Sequence, residues 1–401
     1  MKTAYPVQWA AGIFSWLYQL ASLKDPETVA LTSFHGDGYR GNTRILFERL
    51  CEHPILKPVW LSRNPQLVQQ LKERFGDKRV CLTHSLTGIQ TLSRASVIFL
   101  THGTSDYPFM RLPRHALVIQ TYHGLPTKRG EYMRPKSGNK PGFLHRKILE
   151  YRFRPITHFL SSSPLVTELF SSRFNIPPER FLETGYPAYD ALISLENGYI
   201  TDEITRPHRF NRFWPNAPEA DKLILYAPTF RRRKRTRWFP FDDLDLNALA
   251  DFLEEKKALM ALRAHPNEGL DISRYREISS RFVSGDQKTI EDVYELLAAA
   301  DVIMTDYSSI YIEGLLLDLP VVFIPYDLDT YERGLPLPFE QISPGPSVYS
   351  QKRLLAPLND AIERTDGYEL HRKKVRDLYF TRADGQATDR VIQFLEGSLN
   401  R

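Results

Sequence analysis

Two cysteines in 401 residues, Cys51 and Cys81, are too few for a disulfide framework, and no Cys/His spacing resembles a zinc site, so a reducing, cytosolic setting is expected. No apolar run approaches the roughly 18 to 20 residues that span a bilayer. The Gly-x-x-x-x-Gly-Lys-Ser/Thr loop, the Gly-x-Ser-x-Gly elbow and the Gly-x-Gly-x-x-Gly fingerprint are all missing, which sets aside the commonest nucleotide hydrolase, esterase and dinucleotide readings. Internal repeats and low-complexity tracts are absent as well.

What is present is the composition of a soluble globular protein, 42% apolar and 25% charged, with a net charge of +5 that suggests an anionic partner without naming it. At this length two domains are expected. Near the start, Trp9, Ile13, Phe14, Trp16 and Leu17 fall in a stretch with no charge between Lys2 and Lys24. It has neither the basic start nor the small-residue cleavage site of a secretory signal, and reads as a helix that packs on the N-terminal unit or attaches at a membrane interface.

Short apolar runs at 29–34, 59–62, 80–83, 97–101, 117–122 and 158–162 alternate with amphipathic stretches at 42–51, 65–75 and 165–174. That alternation predicts an α/β fold with a parallel sheet covered on both faces. Residues 181–187 are expected to form the last strand of this unit, with a turn from Gly185 to Asp190, and 195–221, carrying Pro207, Pro215 and Pro218, a linker. A second alternating unit has expected strands at 223–229, 259–266, 281–285, 302–305 and 321–325, and 354–361 and 370–401 read as helices. The predicted architecture is two Rossmann-like domains, 1–194 and 222–375, facing a central cleft. Ligands of such sheets collect at the carboxyl ends of strands.

The candidate site residues stand at those ends. Val302 to Thr305 runs into Asp306-Tyr307-Ser308-Ser309 and then an apolar helical stretch carrying Glu313. Ser308 and Ser309 are expected at the helix N-cap, where orphan N–H groups and the dipole favour an anion such as phosphate. Capping alone is the plain alternative. His123, in Thr121-Tyr122-His123-Gly124-Leu125-Pro126-Thr127-Lys128-Arg129, leaves one strand, and is placed to take a proton near neutral pH. Gly124 permits close backbone approach, and Lys128 adds charge. His265, in Arg263-Ala264-His265-Pro266, ends a run in the second unit.

Thr229-Phe230-Arg231 opens a loop of six basic residues without an acid, which reads equally as solvated or anion-facing. Between 100 and 155, eleven Lys or Arg, among them Arg134, Lys136, Lys140, Lys147 and Arg154, stand against three acids. This stretch lacks the aromatic interleaving of a single-strand platform and any recognition-helix pattern, so an anionic membrane surface is the expected partner rather than nucleic acid.

Taken together, the chain resembles the CDP-glycerol glycerophosphotransferase family of teichoic acid and related polymer synthesis, over most of its length. The resemblance is carried by Tyr122-His123-Gly124-Leu125-Pro126-Thr127-Lys128, Ala227-Pro228-Thr229-Phe230-Arg231, Arg263-Ala264-His265-Pro266, Thr305-Asp306-Tyr307-Ser308-Ser309, Pro325-Tyr326-Asp327 with Tyr331 to Gly334, and Asp384-Gly385. Gly36-Asp37-Gly38-Tyr39-Arg40-Gly41-Asn42 is similar to the family's opening. Tyr122 stands where members often have Trp, and Thr127-Lys128-Arg129 where two lysines are usual. Those departures bear on the acceptor more than on the reaction.

The resemblance implies a GT-B architecture with the C-terminal helix, 376–401, packing back on the first domain. It implies transfer of glycerol phosphate from CDP-glycerol to an acceptor hydroxyl of a lipid-linked saccharide or growing polyol-phosphate chain, with release of CMP, at the cytoplasmic face of the membrane. His123 is the expected general base. Arg263 and His265 are expected at the pyrophosphate, Thr305, Ser308 and Ser309 at phosphate, and Glu313 at a ribose or glycerol hydroxyl. Thr229, Arg231, Lys128, Gly124 and Asp306 complete the expected binding set. No cofactor is required by the motifs, although Mg2+ would suit a diphosphate donor. CDP-ribitol as donor and a sugar-nucleotide glycosyltransferase are the alternatives.

Overall fold

The computed structural model describes residues 12–19, 23–129, 142–196, 210–231, 236–265, 268–290, 292–331 and 333–399. Trp9, Arg134, Lys136, Lys140, Pro266, residues 197–209 of the expected linker and residues 232–235 of the basic loop lie outside these.

The first unit is a seven-stranded parallel sheet of β1 (Asp25–Leu31), β2 (Lys57–Ser62), β3 (Val80–Leu82), β4 (Ala95–Leu100), β5 (Leu117–Gln120), β6 (His158–Leu160) and β7 (Phe181–Leu182), in the order β3-β2-β1-β4-β5-β6-β7. The second has β8 (Lys222–Tyr226), β9 (Ala258–Leu262), β10 (Phe282–Ser284), β11 (Val302–Thr305) and β12 (Val321–Phe323), in the order β10-β9-β8-β11-β12. Helices cover both faces of these sheets, so every residue of β4, β9 and β11 is buried. That explains why these strands read as continuous apolar runs rather than alternating ones.

Most strands end before their apolar runs do. β5 stops at Gln120 because Tyr122 turns into the left-handed region at φ 58°, which puts His123 in the exit loop. The expected strand over 181–187 is corrected: β7 ends at Leu182, and Pro187 opens the helix Pro187–Glu196. Proline suits a first helical position, where its missing N–H costs nothing. The expected long tail helix is two, Glu369–Tyr379 and Ala387–Leu399.

Between those two helices the chain returns to the first unit. Ser162 Oγ donates to Tyr379 O at 2.7 Å, and Thr381 N to Ser162 O at 3.0 Å. The last helix begins on the Asp190 carboxylate, which accepts from the N–H groups of Ala387 and Thr388 and from the Thr388 hydroxyl. A carboxylate at that terminus meets both the orphan donors and the dipole. Gly185, at φ 82°, is required at this junction, because a Cβ there would lie 3.1 Å from Ala387 Cβ.

Candidate active site

A cavity of about 600 Å³ lies between the two units at the carboxyl ends of their strands. His123, Gly124, Arg263, His265, Ser309 and Glu313 all line it. The sheets thus bring together six of the residues singled out in the sequence. At Gly124 the units approach closely, since a Cβ there would lie 3.8 Å from Ser309 Oγ.

The His123 loop is held from three sides. Asn42 Nδ2 donates to Thr121 O and Tyr122 O, both at 3.2 Å, while its Oδ1 accepts from Ala188 N at 3.0 Å. His123 Nδ1–H donates to Thr101 O at 3.1 Å. A carbonyl can only accept, so this bond assigns the proton to Nδ1 and the lone pair to Nε2. His102 stacks on the other ring face, and Tyr122 lies beside it with centroids 4.3 Å apart.

Behind this wall, buried Asp106 accepts from the N–H groups of His35, Thr101 and His102. Burial raises its pKa from the usual carboxylate value, against the lowering effect of those three donors. His35 continues the ring series, 4.2 Å from His102. Neither His35 nor His102 was singled out from the sequence. The available signal was Thr101-His102-Gly103 at the exit of β4, the same placement that drew attention to His123 and His265.

On the other side of the cleft, Arg263 donates through Nη1 to Gly285 O and Ile290 O at 2.7 and 3.1 Å. Burial lowers its pKa to about 10. His265 lies against the Phe230 ring, 4.9 Å between centroids, and its pKa is lowered, first by desolvation and then by Lys128. Glu313 is buried and accepts from Tyr189 at 2.9 Å and Tyr294 at 3.3 Å, both at Oε1. Burial raises it to about 7.

The remaining expected residues stand behind the cavity wall rather than on it. Thr305 is fully buried and spends its hydroxyl on Ala227 O at 2.7 Å. Asp306 accepts from Thr229 N and from Arg231 Nη2 at 2.9 Å, and Arg231 also pairs with Asp327 and donates to Thr229 O. Arg231 is 6% exposed, so the start of the basic loop is an internal brace; Thr229 is 1% exposed and among the described residues its hydroxyl has no partner. Ser308 is half-buried next to the cavity, and Ser309 is the N-cap of the helix Ile310–Gly314 without a capping hydrogen bond from its side chain.

Lys128 sits among cations. Burial lowers its pKa to about 7, and Arg333, Arg231 and Arg173 push in the same direction against Asp306. Among the described residues no group of three or more His, Cys, Asp or Glu could hold a metal ion. Asp306, the carboxylate nearest the phosphate corner, is occupied by Arg231 and Thr229, so these residues do not fit a metal ion.

Two parallel α/β units facing one cavity make an architecture of GT-B type. The chain belongs to the CDP-glycerol:poly(glycerophosphate) glycerophosphotransferase family, whose model matches residues 15–397, and is an enzyme of that type. It is 28% identical to the teichoic acid glycerol-phosphate transferase of Staphylococcus aureus, over 95% of this chain and 96% of that protein. It is 30% identical to the teichoic acid poly(glycerol phosphate) polymerase of Staphylococcus epidermidis, over 80% of this chain but only 43% of that protein. In fold it is similar to the wall teichoic acid polymerase TagF, with a TM-score of 0.77 over 97% of this chain and 94% of that one, at 24% identity.

Proposed function

We propose that this protein transfers glycerol phosphate from CDP-glycerol to a hydroxyl of a lipid-linked saccharide or a growing polyol-phosphate chain, releasing CMP. The observation that carries this is the pairing of His123 and His265 on one cavity in a chain of this family. The acceptor oxygen attacks the phosphorus that bears glycerol, and the bond from that phosphorus to the CMP oxygen breaks. His123 Nε2 takes the acceptor proton, a general-base contribution of about 10² to 10⁴ in rate. Arg263 and His265 bind the diphosphate, stabilise the charge that collects on departing CMP, and hold the reacting atoms in line. Lys128 strengthens the positive field behind them. Glu313 orients a hydroxyl of the ribose or glycerol.

Docking at the cytoplasmic face of the membrane belongs to the same proposal. Ile13, Phe14, Trp16 and Leu17 are exposed on the helical residues 12–19, and Phe143, Leu144, Ile148 and Tyr151 on the helix Phe143–Phe153, which also carries Lys147. Exposed apolar side chains with basic neighbours suit an anionic interface. No described helix is long and apolar enough to cross a membrane. Flotation with anionic liposomes at low salt is the expected result.

The decisive experiment incubates the purified protein with CDP-glycerol, and separately CDP-ribitol, beside a synthetic lipid-linked disaccharide, with products read by mass spectrometry. CMP and one or more added glycerol phosphates are expected. Transfer from CDP-ribitol alone would replace the donor, and transfer from neither would overturn the reading.

A further inference from the structure

A second cavity, of about 980 Å³, shares a wall with the catalytic one. The 3-10 turn Gly103–Asp106 separates them: His102 lines the catalytic cavity, and Thr104, two residues on, lines the second. Tyr107, Phe109, Met110 and Leu112 give the second cavity an apolar wall. Arg111, Arg114 and Arg154 also line it and are exposed, and no Asp or Glu is among its described lining residues.

One further feature points to a ligand. Phe109 holds a left-handed φ of 64°, a conformation that bulky residues adopt where the surroundings enforce it, commonly at ligand sites. Residues 12–19 enforce it here. Gly12 lies so close to this loop that a Cβ would stand 2.3 Å from Phe109 O, and Gln19 Nε2 donates to Arg111 O at 2.6 Å. Tyr151, exposed, lines the same cavity.

We propose that this cavity binds the lipid end of the acceptor, a single apolar chain ending in a diphosphate, so that the attached saccharide extends along the Gly103–Asp106 turn to His123. The apolar wall takes the first part of the chain. The three guanidiniums take the diphosphate oxygens, with arginine suited to bidentate contact. The inference rests on the lipid-linked acceptor proposed above.

The test uses the full-length protein and farnesyl diphosphate, titrated calorimetrically, with farnesol and inorganic diphosphate as separate arms. Saturable binding of farnesyl diphosphate is expected, with each fragment weaker by roughly tenfold or more, because chain and charge act together. An Arg111→Glu/Arg154→Glu variant, altered only at exposed positions, should lose at least roughly tenfold in that binding. Its KM for the lipid-linked disaccharide should rise in proportion, while KM for CDP-glycerol and for the same disaccharide on a short water-soluble linker stays at the wild-type value. Wild-type affinity in the variant, or inorganic diphosphate binding as tightly as farnesyl diphosphate, would overturn the inference. So would normal transfer by a wild-type protein that does not bind the probe. A protein that binds the probe but transfers nothing from either CDP-polyol would instead overturn the proposed reaction and leave the cavity assignment standing.

Discussion

His102 and His123 lie face to face, ring centroids 3.7 Å apart and planes 4° from parallel. Stacking at that separation fixes the plane of the His123 ring, and with it the direction of Nε2. Asp106 stands 3.8 Å from His102 Nδ1, and Thr101 Oγ1 2.9 Å from it, with His35 on the far side. These contacts hold His102 in place beneath the His123 ring.

His123→Ala removes the general base. Turnover with CDP-glycerol and a lipid-linked acceptor should fall by about 10² to 10⁴, while donor affinity measured by titration changes little. Near wild-type turnover would sink the base assignment.

His102→Ala and His102→Phe test the stacking. Alanine frees the His123 ring, and kcat should drop by roughly tenfold with KM for CDP-glycerol unchanged. Phenylalanine restores the stacked surface and should recover most of kcat. Equal losses in the two variants would mean that stacking does not position His123.

Glu313 links the units through Tyr189 and Tyr294 and is raised by burial from 4.5 to about 7. Between those values the folded state binds a proton that the unfolded state does not, so stability falls as pH rises through this window. Glu313→Gln keeps an acceptor for both tyrosines and cannot ionise. It should raise the melting temperature at about pH 8, by a free energy on the order of 3 kcal/mol before any relaxation, and converge on wild type at about pH 4. A lower melting temperature at both pH values would show that the carboxylate, rather than its proton, holds the junction.

Lys128 is lowered to about 7 by burial and by Arg333. A diphosphate near it favours the ammonium, so donor binding at about pH 8 should take up protons. Calorimetry in two buffers of different ionisation enthalpy reads the uptake, approaching one proton for wild type and falling toward zero for Lys128→Met. Equal uptake in both proteins would assign the proton elsewhere.

Local sequence determined a good deal of this. Apolar runs and their polar exits located most strands to within a few residues, because a parallel strand buried on both faces must be apolar along its length and must end where the chain turns polar. The same logic pointed to His123, Arg263, His265 and Ser309, each at or just beyond a strand end, and to Glu313 on the helix that follows β11. It could not say which exits meet. The order β1-β4-β5 sets the loops carrying His35, His102 and His123 side by side, although they are separated by as many as 88 residues in the chain.

Arg231 shows the same division in the second unit. As one of six cations in a run it reads as solvated or anion-facing, yet β8 lies beside β11, and β12 beyond it, so the exits of β11 and β12 present Asp306 and Asp327 to it. A guanidinium so paired is cheaper to bury than to leave those carboxylates uncompensated. Periodicity and residue type, which depend on near neighbours, were thus settled by the sequence. The partners of each functional side chain were decided by strand order, because a parallel sheet gathers at one edge loops that lie far apart along the chain.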